Sequence, residues 1–345
     1  MLPAMEHRSL GRAGLKVSAL SLGCMTFGDS QTWMKGVTSS DDEAHRVLDA
    51  AIDRGVTLFD TADVYSDGRS EELLGEWIGW KRDRVLLATK CRFPLGPGAP
   101  HPAGPNDQGL SRHHIIRSCE DSLRRLKTHW IDLYQVHQQD RTTPIEETLR
   151  ALDDLVRAGK VRYVACSNYT GYRLVESLWA ADRRGTVRYE SVQLQWSLVD
   201  RGCEREVVPA CRAFGLGVLV WGALARGFLT GKYRRGEPAP SGSRFESWRD
   251  AYKHYDKDEN WRVLDAVQSI ARKRNVSASA VAHAWLLAKP ETASVIVGAR
   301  DVKQLEDNLS CLEVKLSPGE VEELDRVSAP DWGYPQGFIA MREPW

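Results

Sequence analysis

Residues 131–168 read IDLYQVHQQDRTTPIEETLRALDDLVRAGKVRYVACSN, and the reading of this stretch decides the fold. A short apolar run ends on a histidine, the pattern of a buried strand. A segment with helical spacing then opens at Pro144 and stops at Gly159, and a second apolar run ends on Ser167 and Asn168. Strand, helix and strand in that order make a parallel crossover unit.

The unit recurs along the chain. Apolar runs occupy residues 17–23, 57–60, 85–90, 131–137, 161–168, 191–195, 217–221 and 294–298, with amphipathic stretches such as DDEAHRVLDAAIDRG and RHHIIRSCEDSLRRL between them. Eight strand-then-helix units predict an α/β protein, a single (β/α)8 TIM barrel over residues 1–345. The doubly wound alternative would carry G-x-G-x-x-G directly after its first strand, and the chain has none there. Residues 7–18, HRSLGRAGLKVS, read as an N-terminal hairpin that plugs the opposite end of the barrel. Three long irregular stretches, 91–111, 230–258 and 328–345, are expected on the C-terminal, catalytic face, the last as a tail over it.

Composition narrows the partners. Forty-seven basic residues balance forty-seven acidic ones, without the basic excess of a nucleic-acid or anionic-membrane binder. Seven cysteines without a CxxC pair fit reduced thiols, and no apolar run is long enough for a membrane span. A soluble cytoplasmic protein acting on a small molecule, without a metal, is the expectation.

The polar residues at strand ends carry the chemistry. Asp60, Lys90 and His137 end the second, third and fourth runs, and parallel strands present their C-terminal ends on one rim. Lys90 is expected to pair with Asp60, because an isolated carboxylate there would be costly. Tyr65 lies on the loop above, where the lysine cation would lower a phenol pKa of about 10 toward useful acid–base range. His137 could hold the same substrate oxygen. Alone, these could be a helix cap, a loop aromatic, a rim lysine and a core histidine. Together they match carbonyl reduction or alcohol oxidation, which needs a nicotinamide hydride source. A barrel lyase with Lys90 as Schiff base is an alternative that leaves much of the sequence unexplained.

The segments FDTADVYSDGRSEELLG, ATK, DLYQVHQQD, CSNY, VQLQWSLVDR, WGALARGFLTGKY and VIVGARDVKQLEDNL resemble successive motifs of the aldo-keto reductase superfamily, including the branch related to potassium-channel beta subunits. The resemblance runs from Gly23 to about Asn308. It implies a catalytic tetrad of Asp60, Tyr65, Lys90 and His137, with Tyr65 as proton donor. It also implies NADPH or NADP+ as cofactor. Gly23, Met25 and Asp60 would lie near it, Ser167, Asn168 and Gln193 around its carboxamide, and Trp221 against the nicotinamide ring. Gly222, Ala223, Leu224, Gly227 and Lys232 would follow the pyrophosphate. Gly298, Arg300, Gln304, Asp307 and Asn308 would hold the adenosine end, with Arg300 on a 2′-phosphate because its planar fork suits phosphate oxygens. Gly222-Ala223 stands where relatives often have Ser-Pro, and Trp196 where tyrosine is commoner.

Phe27, Trp33, Phe93 and Trp332, with Tyr334, are expected to wall a substrate pocket for a bulky alicyclic, aromatic or sugar-derived carbonyl. The competing function is a redox-sensing regulatory subunit that holds the cofactor with little turnover.

Overall fold

The computed structural model describes residues 4–28, 36–96 and 104–343. Eight parallel strands close into a barrel: β3 (Leu20–Gly23), β4 (Leu58–Asp60), β5 (Leu86–Cys91), β6 (Ile131–Val136), β7 (Val161–Ser167), β8 (Ser191–Gln195), β9 (Gly217–Trp221) and β10 (Thr292–Gly298). They pair in chain order, and β10 closes the ring onto β3 through Val295 opposite Leu20 and Gly298 opposite Gly23. The helices lie outside. In Ile145–Arg157, for example, Ile145, Leu149, Leu152 and Leu155 are buried, so the helical spacing seen in the sequence is its barrel-facing stripe.

Two apolar layers result. The larger joins the outer faces of the strands to the helices. A smaller one fills the barrel, where Leu58, Ala88, Leu133, Ala165 and Leu219 meet Leu10 and Val17. Those last two belong to the antiparallel hairpin of β1 (His7–Ser9) and β2 (Lys16–Ser18), which therefore plugs the N-terminal end as expected. The turn fits closely: a Cβ on Gly11, whose φ is +60°, would lie 2.4 Å from the Gly217 nitrogen.

The apolar run at 17–23 is not one strand. Its first residues complete the hairpin and the rest enter the barrel, with a break at Ala19, whose N–H donates to Glu6 O at 2.8 Å. Alternation alone cannot mark such a break, because both pieces are buried.

Residues 230–258 form a loop with two short helices, Arg244–Ser247 and Arg249–Tyr255. Aromatic contacts fix this loop to the barrel. Phe228, buried in the core just before the loop, lies 6.4 Å from Tyr233 and 6.0 Å from Tyr255, and within the loop Tyr233 lies 5.2 Å from Phe245. Each such pair adds about 0.5–1.5 kcal/mol beyond its buried area. The tail is tied to the loop after β8: Arg201 donates to Ser328 Oγ at 2.9 Å, and Arg205 to the Tyr334 carbonyl at 3.2 Å. All seven cysteines are free. Among the described residues no helix is long and apolar enough to cross a membrane.

Candidate active site

Side-chain alternation builds the site. Within the barrel, Leu58, Ala88 and Leu133 point inward, so the residues two positions further along, Asp60, Lys90 and Gln135, point inward one layer higher. Apolar residues thus give way to polar ones at the C-terminal rim. Asp60 is 3 % exposed and Lys90 fully buried, so each requires a partner.

They supply it to one another. Lys90 Nζ donates to Asp60 Oδ1 at 2.5 Å, to the Thr61 carbonyl at 2.8 Å and to the Tyr65 hydroxyl at 3.3 Å. The other carboxylate oxygen of Asp60 accepts from Gln135 Nε2 at 2.9 Å and Gln193 Nε2 at 2.8 Å. The carboxylate is therefore held by three strands besides its own, and the ammonium has one N–H for the phenol.

The loop that carries Tyr65 is held just as firmly. Ser66 and Asp67 have φ of 48° and 54°, a region unfavourable for residues with a Cβ. Ser66 Oγ donates to the carbonyls of Phe27 at 3.0 Å and Gly28 at 3.1 Å, while Asp67 Oδ1 accepts from Gly96 N at 2.9 Å. Phe27 is thus a buried core residue beneath the loop rather than a wall of the pocket.

Burial sets the protonation states. It raises the Tyr65 pKa above its ordinary value; Lys90 pulls the other way, and Asp60 adds to the rise. The acidification expected from the sequence is therefore outweighed by burial, and Tyr65 is a protonated phenol at neutral pH. Burial disfavours the Lys90 cation too, but Asp60 and then Tyr65 outweigh it, and the net shift is upward. Burial, followed by the charges of Lys90 and Arg92, holds His137 well below the ordinary imidazole range, so it is neutral. The His137 ring meets Tyr65 edge-on at 5.7 Å and Phe93 at 5.0 Å, and its buried Nδ1 has no hydrogen-bond partner.

A cavity of about 440 Å³ opens above these groups, lined by Asp60, Tyr65 and His137 together with Gly23, Met25, Phe93, Ser167, Asn168, Gln193, Trp221, Gly222 and Gly298. It adjoins a groove of about 810 Å³ along Ala223, Leu224, Gly227, Lys232, Arg300, Gln304, Asp307 and Asn308. The structure thus brings the sequence-derived catalytic residues to one cavity and divides the cofactor candidates between cavity and groove. Lys90 lies beneath the cavity floor. Phe93 borders the cavity, Trp332 and Tyr334 border neither space, and Trp33 lies outside the described residues.

The groove has the chemistry of a dinucleotide cradle. Lys232, Arg244, Arg300 and Lys303 line it, and among the described residues none of the four is ion-paired with a carboxylate. Burial, then the charges of Arg300 and Arg244, depress the Lys232 pKa, the mark of cations gathered without an anion. Gly222 and Gly227, at φ of 73° and 98°, let the backbone bend around this space. Two adenosine-end candidates also have structural duties: Gln304 Oε1 accepts from Arg300 N at 3.1 Å, and Asn308 Nδ2 donates to the Gly298 carbonyl at 3.1 Å.

Sequence reasoning missed Gln135, Arg226, Arg244 and Trp248. Gln135 was accessible from alternation, being on β6 two residues before His137, which follows the strand's end. Arg226 lay inside the glycine loop already singled out, but Arg244 and Trp248 sit on short helices of the 230–258 loop that carry no periodic signal.

Comparison with known proteins gives the family. The sequence model of the aldo/keto reductase family covers residues 19–329. The chain is 38% identical to an uncharacterized oxidoreductase of Bacillus subtilis, over 90% of this chain and 92% of that one. It is 36% identical to a putative aryl-alcohol dehydrogenase of Schizosaccharomyces pombe, over 93% and 95% of the two chains. It is also 36% identical to a probable voltage-gated potassium channel subunit beta of Oryza sativa, over 94% and 96%.

Proposed function

The chain belongs to the aldo/keto reductase family of oxidoreductases, and from that premise we propose that it is an NADPH-dependent carbonyl reductase, reversible, with Tyr65 as general acid. The observation that carries the reading is the single ammonium group bonded to both Asp60 and Tyr65 beneath a cavity that adjoins a cationic groove.

Lys90 donates to the phenol oxygen, which leaves the Tyr65 proton free to point at a carbonyl oxygen in the cavity. Burial keeps that proton in place until it is needed. As it leaves, the phenolate forms beside an ammonium already 3.3 Å away, so the charge is stabilised without rearrangement. Asp60 and its two glutamine donors hold the lysine in position. His137, neutral and adjacent, can hydrogen-bond the same substrate oxygen without bringing a second cation. A nicotinamide held by Ser167, Asn168, Gln193 and Trp221 would supply the hydride. Gln193 commits Nε2 to Asp60, so its Oε1 is the atom free to accept from the carboxamide. Asn168, whose Nδ2 is bonded to the His137 carbonyl at 2.8 Å, likewise offers its Oδ1. Arg300 supports NADPH over NADH, since its guanidinium lines the groove and makes one long contact, 3.5 Å, with the Gly242 carbonyl.

The test is consumption of NADPH, followed by its absorbance, with aromatic, alicyclic and sugar-derived aldehydes and ketones. Turnover with one of these classes is expected; failure with all of them while NADPH binds overturns the reductase reading. A cofactor-holding regulatory subunit is the second reading, favoured by likeness to the rice protein named as a channel subunit. Retention of NADPH through gel filtration with no multiple turnover distinguishes it.

A further inference from the structure

The catalytic cavity is largely apolar, bordered by Val64, Phe93, Trp221, Trp248 and Ile296, yet two guanidinium groups also line it. Arg226 and Arg244 border both the cavity and the groove, whereas Lys232, Arg300 and Lys303 border the groove alone. No described carboxylate is ion-paired with either arginine. Two like charges beside an apolar space repel one another, and only an anion or water relieves them. The repulsion is felt at Arg244, whose pKa falls through burial and then through the charges of Arg226 and Arg300.

The two arginines divide the work. Arg244 is coupled to Lys232 and Arg300 and so belongs with the cations available to the cofactor phosphates. Both guanidinium groups lie over the Trp248 ring, Arg244 at 5.5 Å, but Arg226 is not among the charges that act on Lys232. The Arg226 guanidinium carbon lies 5.1 Å from the centre of the Trp248 ring, and its charge acts on the hydroxyl of Tyr255, which donates to Asp200 Oδ2 at 3.0 Å. The backbone at Arg226 is left-handed, with φ 57° and ψ 22°, a conformation costly for any residue with a Cβ. Strain of this kind persists where the surrounding structure fixes a side chain for a task. The planar fork is thereby set at the seam between the two spaces, above the same cavity that holds Tyr65 and His137.

Resting on the reductase reading, we propose that Arg226 determines specificity by holding the carboxylate of an aromatic or alicyclic aldehyde or ketone whose carbonyl oxygen reaches Tyr65 and His137. The acid lies along the Trp248 side of the cavity and its carboxylate accepts two N–H bonds from the guanidinium. A neutral ester of the same shape fills the space but leaves the arginine without an anion.

The experiment compares para-carboxybenzaldehyde with methyl para-formylbenzoate, using NADPH and the full chain. The acid is expected to show kcat/KM about tenfold or more above the ester. Arg226→Gln should bring that ratio close to one, through a rise in KM for the acid, and Arg226→Lys should restore part of it. A ratio near one in the wild type overturns the proposal. So does an Arg226→Gln variant that weakens both substrates alike together with NADPH affinity measured by cofactor fluorescence, since Arg226 would then serve the phosphates. If neither aldehyde is reduced, the wider carbonyl panel decides the reductase reading, and binding of benzoate against benzamide to the NADP+-saturated protein, read by tryptophan fluorescence, decides this one. Preference for benzoate that vanishes in Arg226→Gln supports an anion site; equal binding of the two overturns it.

Discussion

Replacing Asp63 by asparagine should stabilise this protein at neutral pH. Asp63 lies two residues before Tyr65, is 2 % exposed, and its Oδ1 has no hydrogen-bond partner. Its own N–H donates to the Lys90 carbonyl at 3.1 Å, which ties the residue to the catalytic rim. Burial first, then the charge of the buried Glu71, raises its pKa well above the carboxylate range, and Arg125, the Val64 amide and Lys90 offset only part of that. A folded pKa raised above the unfolded one, about 3.9, favours the protonated native state. The stability from this group is fully present below the unfolded pKa and is lost as pH rises through the folded one. At 1.36 kcal/mol per unit, the loss at pH 7 is bounded at about 4 kcal/mol. Asparagine keeps the shape and removes the ionisation, but its NH2 group lacks a partner at a cost of about 1–3 kcal/mol. The net gain at pH 7 is therefore at most about 1–3 kcal/mol, a rise of up to a few degrees in Tm. Near pH 4 there should be no gain. Thermal unfolding of both proteins from pH 4 to 9 measures it. Equal slopes of Tm against pH in the two proteins, with the variant less stable throughout, would refute the reasoning.

Three further outcomes follow from the site. Gln193→Leu removes one of the two amide donors to Asp60 Oδ2 and should lower stability by about 1.5–3 kcal/mol in denaturant unfolding, with a loss of nicotinamide affinity. His137 should give no inflection between pH 6 and 8 in NMR of labelled histidine; because its folded pKa is depressed, its contribution to stability is present above about pH 6.5 and lost as pH falls below that value. Arg300→Met should weaken NADPH about ten- to a hundredfold by calorimetry and change NADH little, as expected if its guanidinium meets a 2′-phosphate.

The barrel was legible because the strands are short apolar runs that end at or near a polar residue or a glycine, and most of the helices between them carry an apolar stripe at a distinct period. Asp60, Lys90 and His137 could be placed on one rim for the same reason. Where the signal was ambiguous, reading failed locally. The run at 17–23 hid a break because both halves are buried, and Phe27 looked like a pocket wall because sequence cannot tell which side of a loop an aromatic faces. Arg244 and Trp248 were invisible for a different reason: a loop held by aromatic contacts across distant positions has no period to read. The Tyr65 phenol shows a third limit, since residue types give the sign of a nearby charge but not the depth of burial that outweighs it.

The most direct test of the account is a single turnover of NADPH-loaded protein with an aldehyde, compared between the wild type and Tyr65→Phe. The account predicts that the variant binds NADPH as the wild type does and transfers hydride about a hundred- to ten-thousandfold more slowly, the usual contribution of a positioned general acid. Hydride transfer at the wild-type rate in Tyr65→Phe would contradict it.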